Sequence, residues 1–404
     1  MTLSLASDLL ISDEVNFVQN MGESTKTIIT ENFMKMIDNL EAIKNYISTL
    51  EHGSTNSINS KYSYKNTNLV NGNDIATGKV NLTTLSGYDN KSKVSLDYAI
   101  WFLNPNLTEY EQLSDMTKLN FKLISQADFF LKSTFLPTKT SLQNIYLFFE
   151  NDGLQYAYPA FEDRSFIEFK TNESCEHSQT GKMEYFDMRC RPYAKEIKRN
   201  LNSPFLKRFN VISEPYFYFQ NNLFSLTMCN YDIYQENIHI NTFEKELGGQ
   251  VFEERRLKFA ICLDLDLKLL HPMFEGFYDV DQDHFFMIKG DLTVFYHPVF
   301  KELMSIGADL LNSITEYEYK INDEMKNEEA LKFNASLRIA LHNMNKTEES
   351  KEEVTTFNFT KNGKEYISVL NEIGISTSGD DISTGKNVLY LILVRPKFMI
   401  LQVT

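Results

Sequence analysis

The chain has 404 residues, a formal net charge of −15, 42% hydrophobic residues and 24% charged ones. That length supports one large or two moderate domains, and the apolar content excludes a disordered chain. The acidic excess excludes a nucleic-acid backbone as partner, because phosphate binding needs clustered Lys and Arg.

From Ser4 to Leu50 no proline intervenes, and Phe33, Ile37, Leu40, Ile43, Ile47 and Leu50 recur at helical spacing, which predicts one long leading helix. His52 to Lys93 is polar and rich in Asn and Ser, and reads as a loop or insertion without assigned function. Leu96 to Phe102 is a short apolar element. Ser114 to Phe135 predicts a helix, with Met116, Leu119, Phe121, Leu123, Ile124, Phe129 and Phe130 along it and Ser114 as its cap. Asn144–Phe149 and Leu154–Tyr158 flank Asn151-Asp-Gly153, a strong hairpin turn signal.

The stretch Tyr185 to Phe300 carries the most specific pattern. It opens with an Arg-rich turn, Tyr185-Phe-Asp-Met-Arg-Cys-Arg-Pro-Tyr193. Ser213–Tyr218 and Leu223–Met228 read as strands joined by the polar turn Gln220, Asn221 and Asn222. In Lys258–Leu267, strand alternation puts Cys262, Asp264 and Asp266 on one face and Leu263, Leu265 and Leu267 on the other. Phe285–Ile288 and Leu292–Tyr296 form two further strands, closed by His297-Pro298. Phe300–Tyr319 and Ile321–Met344 read as helices, and Lys346–Glu353 as a solvated connector. Thr355–Thr360, Lys364–Val369 and Val388–Val394 are strands of a second, smaller sheet.

Chemistry-bearing motifs are sparse. The sequence has no Gly-x-Ser-x-Gly elbow, phosphate-cradling glycine loop or His-Glu-x-x-His helix, and His271, His284 and His297 are too scattered for ligands, so neither an enzyme nor a cofactor is expected. Asp279-Val-Asp-Gln-Asp283 has calcium-like spacing, but the turn glycine is absent and Gly290 stands where the bidentate Glu belongs, so a loop is expected. Asp381-Ile-Ser-Thr-Gly385 lacks the apolar strand that a metal-binding Asp-x-Ser motif follows. The longest apolar run, near Val388, is far short of the roughly 20 residues that span a bilayer, and Met1–Asp8 lacks the pattern of a secretion signal. Seven sequons, at Asn81, Asn90, Asn106, Asn172, Asn334, Asn345 and Asn358, fit glycosylation or the chance yield of an Asn-rich chain. The four cysteines pair as Cys175 with Cys190 and Cys229 with Cys262, or stay buried thiols.

In its order the chain resembles a double Cache ectodomain, a PAS-like extracellular sensor module. The resemblance rests on Asp187 to Ala194, matching an Asp-x-Arg-x-Arg-Pro-Trp-Tyr turn, then Ser213-Glu-Pro-Tyr216, Cys262–Leu265 and the His-Pro hairpin ending at Pro298. It implies an α+β fold in which a long N-terminal helix (residues 1–52) precedes two modules with antiparallel sheets flanked by helices. The membrane-distal module would be 53–298, with a polar insertion at 53–93, and the membrane-proximal one 299–404. It also implies flanking membrane spans outside this chain, an extracellular setting, and a homodimer or membrane-protein partner.

In amino-acid-binding members of that family the Arg of the Arg-Pro pair grips a carboxylate, aromatics line the site and a strand Asp holds the ammonium. The resemblance carries these roles to Arg191, Tyr193, Phe186 and Asp264, with Tyr216 completing the candidate set. A guanidinium fork matches a carboxylate and an acid opposite it matches an amine. The alternative for Arg191 and Asp264 is a mutual salt bridge bracing helix against sheet. Three positions depart from the pattern: Tyr193 replaces the Trp, Ala194 the following Tyr, and Phe186 the upstream Tyr. The expected function is sensing of an amino acid, amine or carboxylate and signalling across a membrane. The other expectation is an adhesion or assembly module with a vestigial site, as in calcium-channel auxiliary subunits.

Overall fold

A computed structural model describes residues 2–54, 68–103, 113–138, 142–161, 175, 177, 187–202, 210–213, 216–218, 223–234, 255–266, 284–289, 294–296, 336–341, 354–361, 364–376 and 388–396. The fold is α+β. It begins with α1 (Thr2–Ser54), one uninterrupted helix of 53 residues. Among its described side chains Val18, Gly22, Thr25, Ile29, Phe33, Met36, Leu40, Ile43 and Ile47 are buried, at the three- and four-residue spacing that makes one stripe. Among the described residues no helix is long and apolar enough to cross a membrane.

Two units share the chain: unit 2 comprises Ile37–Ser213 and Thr227–Leu265, and unit 1 comprises Met1–Met36, Glu214–Leu226 and Asp266–Thr404. β1 (Leu69–Asn71), β4 (Ala99–Phe102), β5 (Leu142–Phe149), β6 (Gln155–Tyr158), β8 (Asn210–Ile212), β10 (Leu223–Tyr234) and β11 (Arg256–Asp266) form a sheet in the order β1-β4-β6-β5-β11-β10-β8, all of it in unit 2 except residues 223–226 of β10 and Asp266 of β11. Helix α3 (Asp115–Phe135) is capped as the sequence predicts, Ser114 Oγ accepting from Thr117 N at 3.0 Å. It covers one face of this sheet: Tyr156 donates to Asp128 at 2.8 Å, and Phe135 meets Tyr158 edge-on at 5.3 Å. Residues Ile37–Ser54 of α1 join the same unit through Tyr46 against Phe130, a 3.1 Å bond from Ser48 to Asp232, and an ion pair from Lys258 to Glu51.

Of the stretch read as a loop, residues 52–54 belong to α1 and residues 68–93 carry short strands, a helix and a 3₁₀ turn. β1 pairs in parallel with β4, Leu69 opposite Ala99, and is followed by α2 (Gly72–Ala76), a 3₁₀ turn at Leu82–Thr84, and the short strands β2 (Tyr88–Asp89) and β3 (Val94–Ser95). β3 pairs in turn with β7 (Ala160–Phe161). The misreading has a physical cause. The Asn residues that look like loop composition act as caps, Asn71 Oδ1 accepting from Asn73 N and Asn81 Oδ1 from Thr83 N, each at 3.0 Å.

Unit 1 holds a five-stranded sheet in the order β13-β12-β16-β15-β14, built from β12 (His284–Lys289), β13 (Val294–Tyr296), β14 (Val354–Lys361), β15 (Lys364–Ser376) and β16 (Val388–Pro396). The boundary expected at 298 is therefore misplaced, because β12 pairs with β16, Phe286 opposite Ile392, and so begins the second sheet rather than ending the first. Sequence order hid this, since β12 and its partner are separated by about a hundred residues and such pairings leave no local signal. The two helices expected at 300–344 lie outside the described residues except for a helical turn at 336–341. The first half of α1 packs on this sheet: Thr30 Oγ1 donates to the Ile373 carbonyl at 3.1 Å, and Arg395 stacks 5.1 Å over Phe17.

Candidate ligand-binding site

The Arg-rich turn folds as a 3₁₀ turn, Met188–Cys190, leading directly into α4 (Pro192–Leu201). Pro192 starts α4 where its missing N–H costs nothing, and Arg191 before it is extended, φ −74 and ψ 159, as a residue preceding proline must be. Asp187 caps the turn by accepting from Arg189 N at 3.0 Å and also takes the Arg189 guanidinium through Nε at 2.9 Å and Nη2 at 2.6 Å. The remaining arm, Nη1, donates to the Glu150 carbonyl at 3.0 Å. Arg189 is thus a brace between turn and hairpin. Gly153 leaves room for it: its φ is +67, and a Cβ there would sit 2.6 Å from the guanidinium. Disulfide bonds join Cys175 to Cys190 and Cys229 to Cys262, so both expected pairs are formed. Cys175, Cys190 and Asp187 lie together, but their donor atoms are committed to the disulfide and to Arg189.

The turn lies over the sheet face opposite α3. Register places Tyr146 opposite Cys262, Asn144 opposite Asp264, and Phe148 opposite Gln155, so these residues share that face. Met188 N donates to Gln155 Oε1 at 3.1 Å, and from α4 Asn200 donates to the Tyr231 hydroxyl at 2.7 Å. Tyr193 packs its ring 5.2 Å from Tyr146 and 6.1 Å from Phe148.

At the centre of the face Asp264, 1% exposed, accepts from the Tyr146 hydroxyl at 2.7 Å and from Thr227 Oγ1 at 2.6 Å, both on Oδ1. Tyr146 therefore touches two of the expected site residues, Asp264 by a hydrogen bond and Tyr193 by ring contact. Arg191 is buried at the start of α4 in the same unit. Tyr216 sits on β9 (Tyr216–Tyr218), opposite Ser225, in the part of the chain that belongs to unit 1. Phe186, Asp279–Asp283 and Asp381–Gly385 lie outside the described residues.

Sequence reasoning missed Tyr146, Thr227 and Gln155. Alternation within Asn144–Phe149 marks Tyr146 and Phe148 as one face, but only the pairing with β11 says that this is the Asp264 face. Beside the turn, Glu150 Oε1 meets His177 Nε2 at 3.3 Å and Lys198 Nζ at 3.6 Å. Burial pushes the Glu150 carboxyl up, but the His177 hydrogen bond and the charges of Lys198, His177 and Arg189 outweigh it and hold the group below its ordinary range. On the α3 side, burial and the adjacent Asp128 raise the Tyr156 hydroxyl well above its usual value, and burial with Asp128 and Asp97 pushes Tyr158 up to about 12.

No family profile matches the sequence, and no curated protein matches it. Solved structures similar to it include sensor domains of bacterial chemoreceptors. The periplasmic sensory domain of Campylobacter jejuni Tlp1 is 9% identical, with TM-score 0.47, over 98% of this chain and 99% of that one. The ligand-binding domain of Pseudomonas fluorescens CtaA, in complex with L-isoleucine, is 12% identical, with TM-score 0.43, over 98% of each chain. That of Pseudomonas aeruginosa PctB, in complex with L-Arg, is 11% identical, with TM-score 0.41, over 96% and 97%.

Proposed function

We propose that this chain is the ligand-sensing, non-enzymatic ectodomain of a membrane-attached protein, and that unit 2 binds a small cationic or zwitterionic molecule, an amino acid or amine, beneath α4. In this reading Asp264 takes the ammonium, Arg191 any carboxylate, and Tyr193 and Phe186 the side chain. The observation that carries it is Asp264 itself. A carboxyl 1% exposed, oriented by the hydroxyls of Tyr146 and Thr227 on the face that Tyr193 packs against, has the charge and setting to meet an ammonium group. Two disulfides fit an oxidising compartment, and the sequon residues Asn81, Asn90 and Asn358 are exposed, as attachment of a glycan requires. Signalling would then run through α1, which contributes residues to both units, with a homodimer or another membrane protein as partner.

A second reading, an assembly module with a closed site, draws on the depth of the same residues: Asp264 and Tyr193 are packed to 1% and 3% exposure. A thermal-shift screen of the disulfide-intact chain against amino acids, amines and carboxylates separates the two. A ligand at a hundred times its dissociation constant adds roughly 2.7 kcal/mol to stability. Stabilisation by amines or amino acids that is lost in Asp264→Asn supports the sensor, whereas an unchanged melting point across the screen supports the assembly module. Full retention of amino-acid binding by Arg191→Ala would remove the carboxylate grip.

A further inference from the structure

Four buried side chains of unit 2 form one hydrogen-bonded run. Tyr146 and Thr227 donate to Asp264 Oδ1, Ser213 Oγ accepts from Thr227 N at 3.1 Å, and Ser213 N donates to the Thr227 carbonyl at 2.8 Å. Their places in the chain are as telling as their contacts. The chain leaves unit 2 after Ser213, re-enters at Thr227 and leaves again after Leu265. Ser213 is thus the last residue before one passage, Thr227 the first after the next, and Asp264 the last but one before the third. Ser213 reaches Asp264 only through Thr227, so three of the four passages of the chain lie on one hydrogen-bonded run.

We infer that Thr227 and Ser213 are positioning residues that couple occupancy of the Asp264 site to the strands on which the chain continues into unit 1. This rests on the reading of Asp264 as the ligand-facing acid. The Tyr146 hydroxyl has one hydrogen to share between Asp264 Oδ1 at 2.7 Å and Thr227 Oγ1 at 3.2 Å. In the present arrangement the shorter bond dominates. A cationic group bound to Asp264 competes for that oxygen, and the tyrosine hydrogen turns to Thr227, giving a relay from Tyr146 through Thr227 to Asp264. The two arrangements load Thr227 differently, and Thr227 is held through its own backbone to Ser213. Differential binding to two states of one element is what a ligand needs to shift an equilibrium.

Hydrogen exchange on the full chain without any ligand tests the positioning claim. Thr227→Val keeps the shape and removes the hydroxyl. It should speed exchange of the Ser213 and Thr227 amides and of residues 223–226 by on the order of tenfold, while Thr227→Ser exchanges at the wild-type rate. Wild-type rates in Thr227→Val, or equal acceleration in Thr227→Ser, would overturn the inference. Ser213→Ala, which removes the acceptor of Thr227 N, gives the same readout if the valine variant fails to fold. The coupling is read with whichever amine or amino acid stabilises the wild type. Its effect on exchange at 223–226 should vanish in Thr227→Val while its melting shift persists, and an undiminished effect would sink the coupling. Failure of every such probe to bind the wild type removes the sensor reading, whereas the ligand-free exchange still decides whether the clasp exists.

Discussion

Two buried faces of the protein hold their polar groups in opposite ways. On the unit 2 face beneath α4, Asp264, Thr227, Tyr146, Ser213, Gln155, Asn200 and Tyr231 are inside the protein and hydrogen-bonded to one another or to nearby backbone. In unit 1, Thr25 Oγ1, Ser368 Oγ and both amide atoms of Asn371 are buried with no hydrogen-bond partner among the described residues. A satisfied network fixes side-chain positions at small net cost, whereas an unsatisfied buried group forfeits its hydration outright. The first arrangement suits a site that must present groups in fixed geometry. The second is a contact whose polar atoms leave it below its stability optimum.

Removing a group should therefore act with opposite sign in the two places. Asp264→Leu strands two hydroxyl donors and is expected to cost about 3 kcal/mol, whereas Asn371→Leu deletes an unpartnered amide and is expected to gain about 1 kcal/mol. Chemical denaturation of the two variants measures both. Destabilisation of similar size by each would dissolve the contrast and place a hidden partner on Asn371.

Gly22 sharpens the comparison on the unit 1 side. A Cβ at this position of α1 would lie 2.3 Å from Asn371 Nδ2, so the helix approaches the sheet this closely only because it has glycine there. Alanine is favoured over glycine within a helix by about 1 kcal/mol. In the wild-type background that gain should be cancelled by the clash, and Gly22→Ala should be neutral or harmful. In an Asn371→Ala background it should appear in full. The cycle is expected to yield a coupling of about 1 kcal/mol, and strict additivity would show that the two residues do not constrain each other.

How much of this was legible depends on whether the signal is local. Ser114 as a cap, the Asp-Gly hairpin at Gly153 and the long stripe of α1 are set by residues within a few positions of one another, and each stands where the sequence puts it. Both disulfides were expected, although the sequence alone left buried thiols as the alternative, an equal one for Cys229 and Cys262. The membership of β12 and β13 was not legible, because it depends on pairing with β16 far along the chain. The same holds for the site. Asp264 and Tyr193 could be named from their motifs, but Tyr146 and Thr227 reach Asp264 only through strand neighbours that no local pattern records. Nor could the sequence say that Arg189, rather than the arginine two residues on, would brace the turn to Glu150 and Asp187.

The smallest expected effect separates satisfaction by charge from satisfaction by neutral hydrogen bonds. Glu150 is held below its ordinary carboxyl range of about 4.5 by His177, Lys198 and Arg189 despite partial burial. A carboxyl whose folded value is depressed gives stability that is present above its unfolded value and is lost as the pH falls through the folded one. The wild type should therefore lose melting temperature faster than Glu150→Gln as the pH drops below about 4.5, and should be slightly the more stable of the two near neutrality. Asn371 does not titrate, so Asn371→Leu should displace the whole profile by a constant. Parallel profiles for Glu150→Gln and wild type across the acid range would mean that the three cations contribute nothing to folding. The rim of the candidate site in unit 2 would then be held, like its centre, by hydrogen bonds rather than by charge.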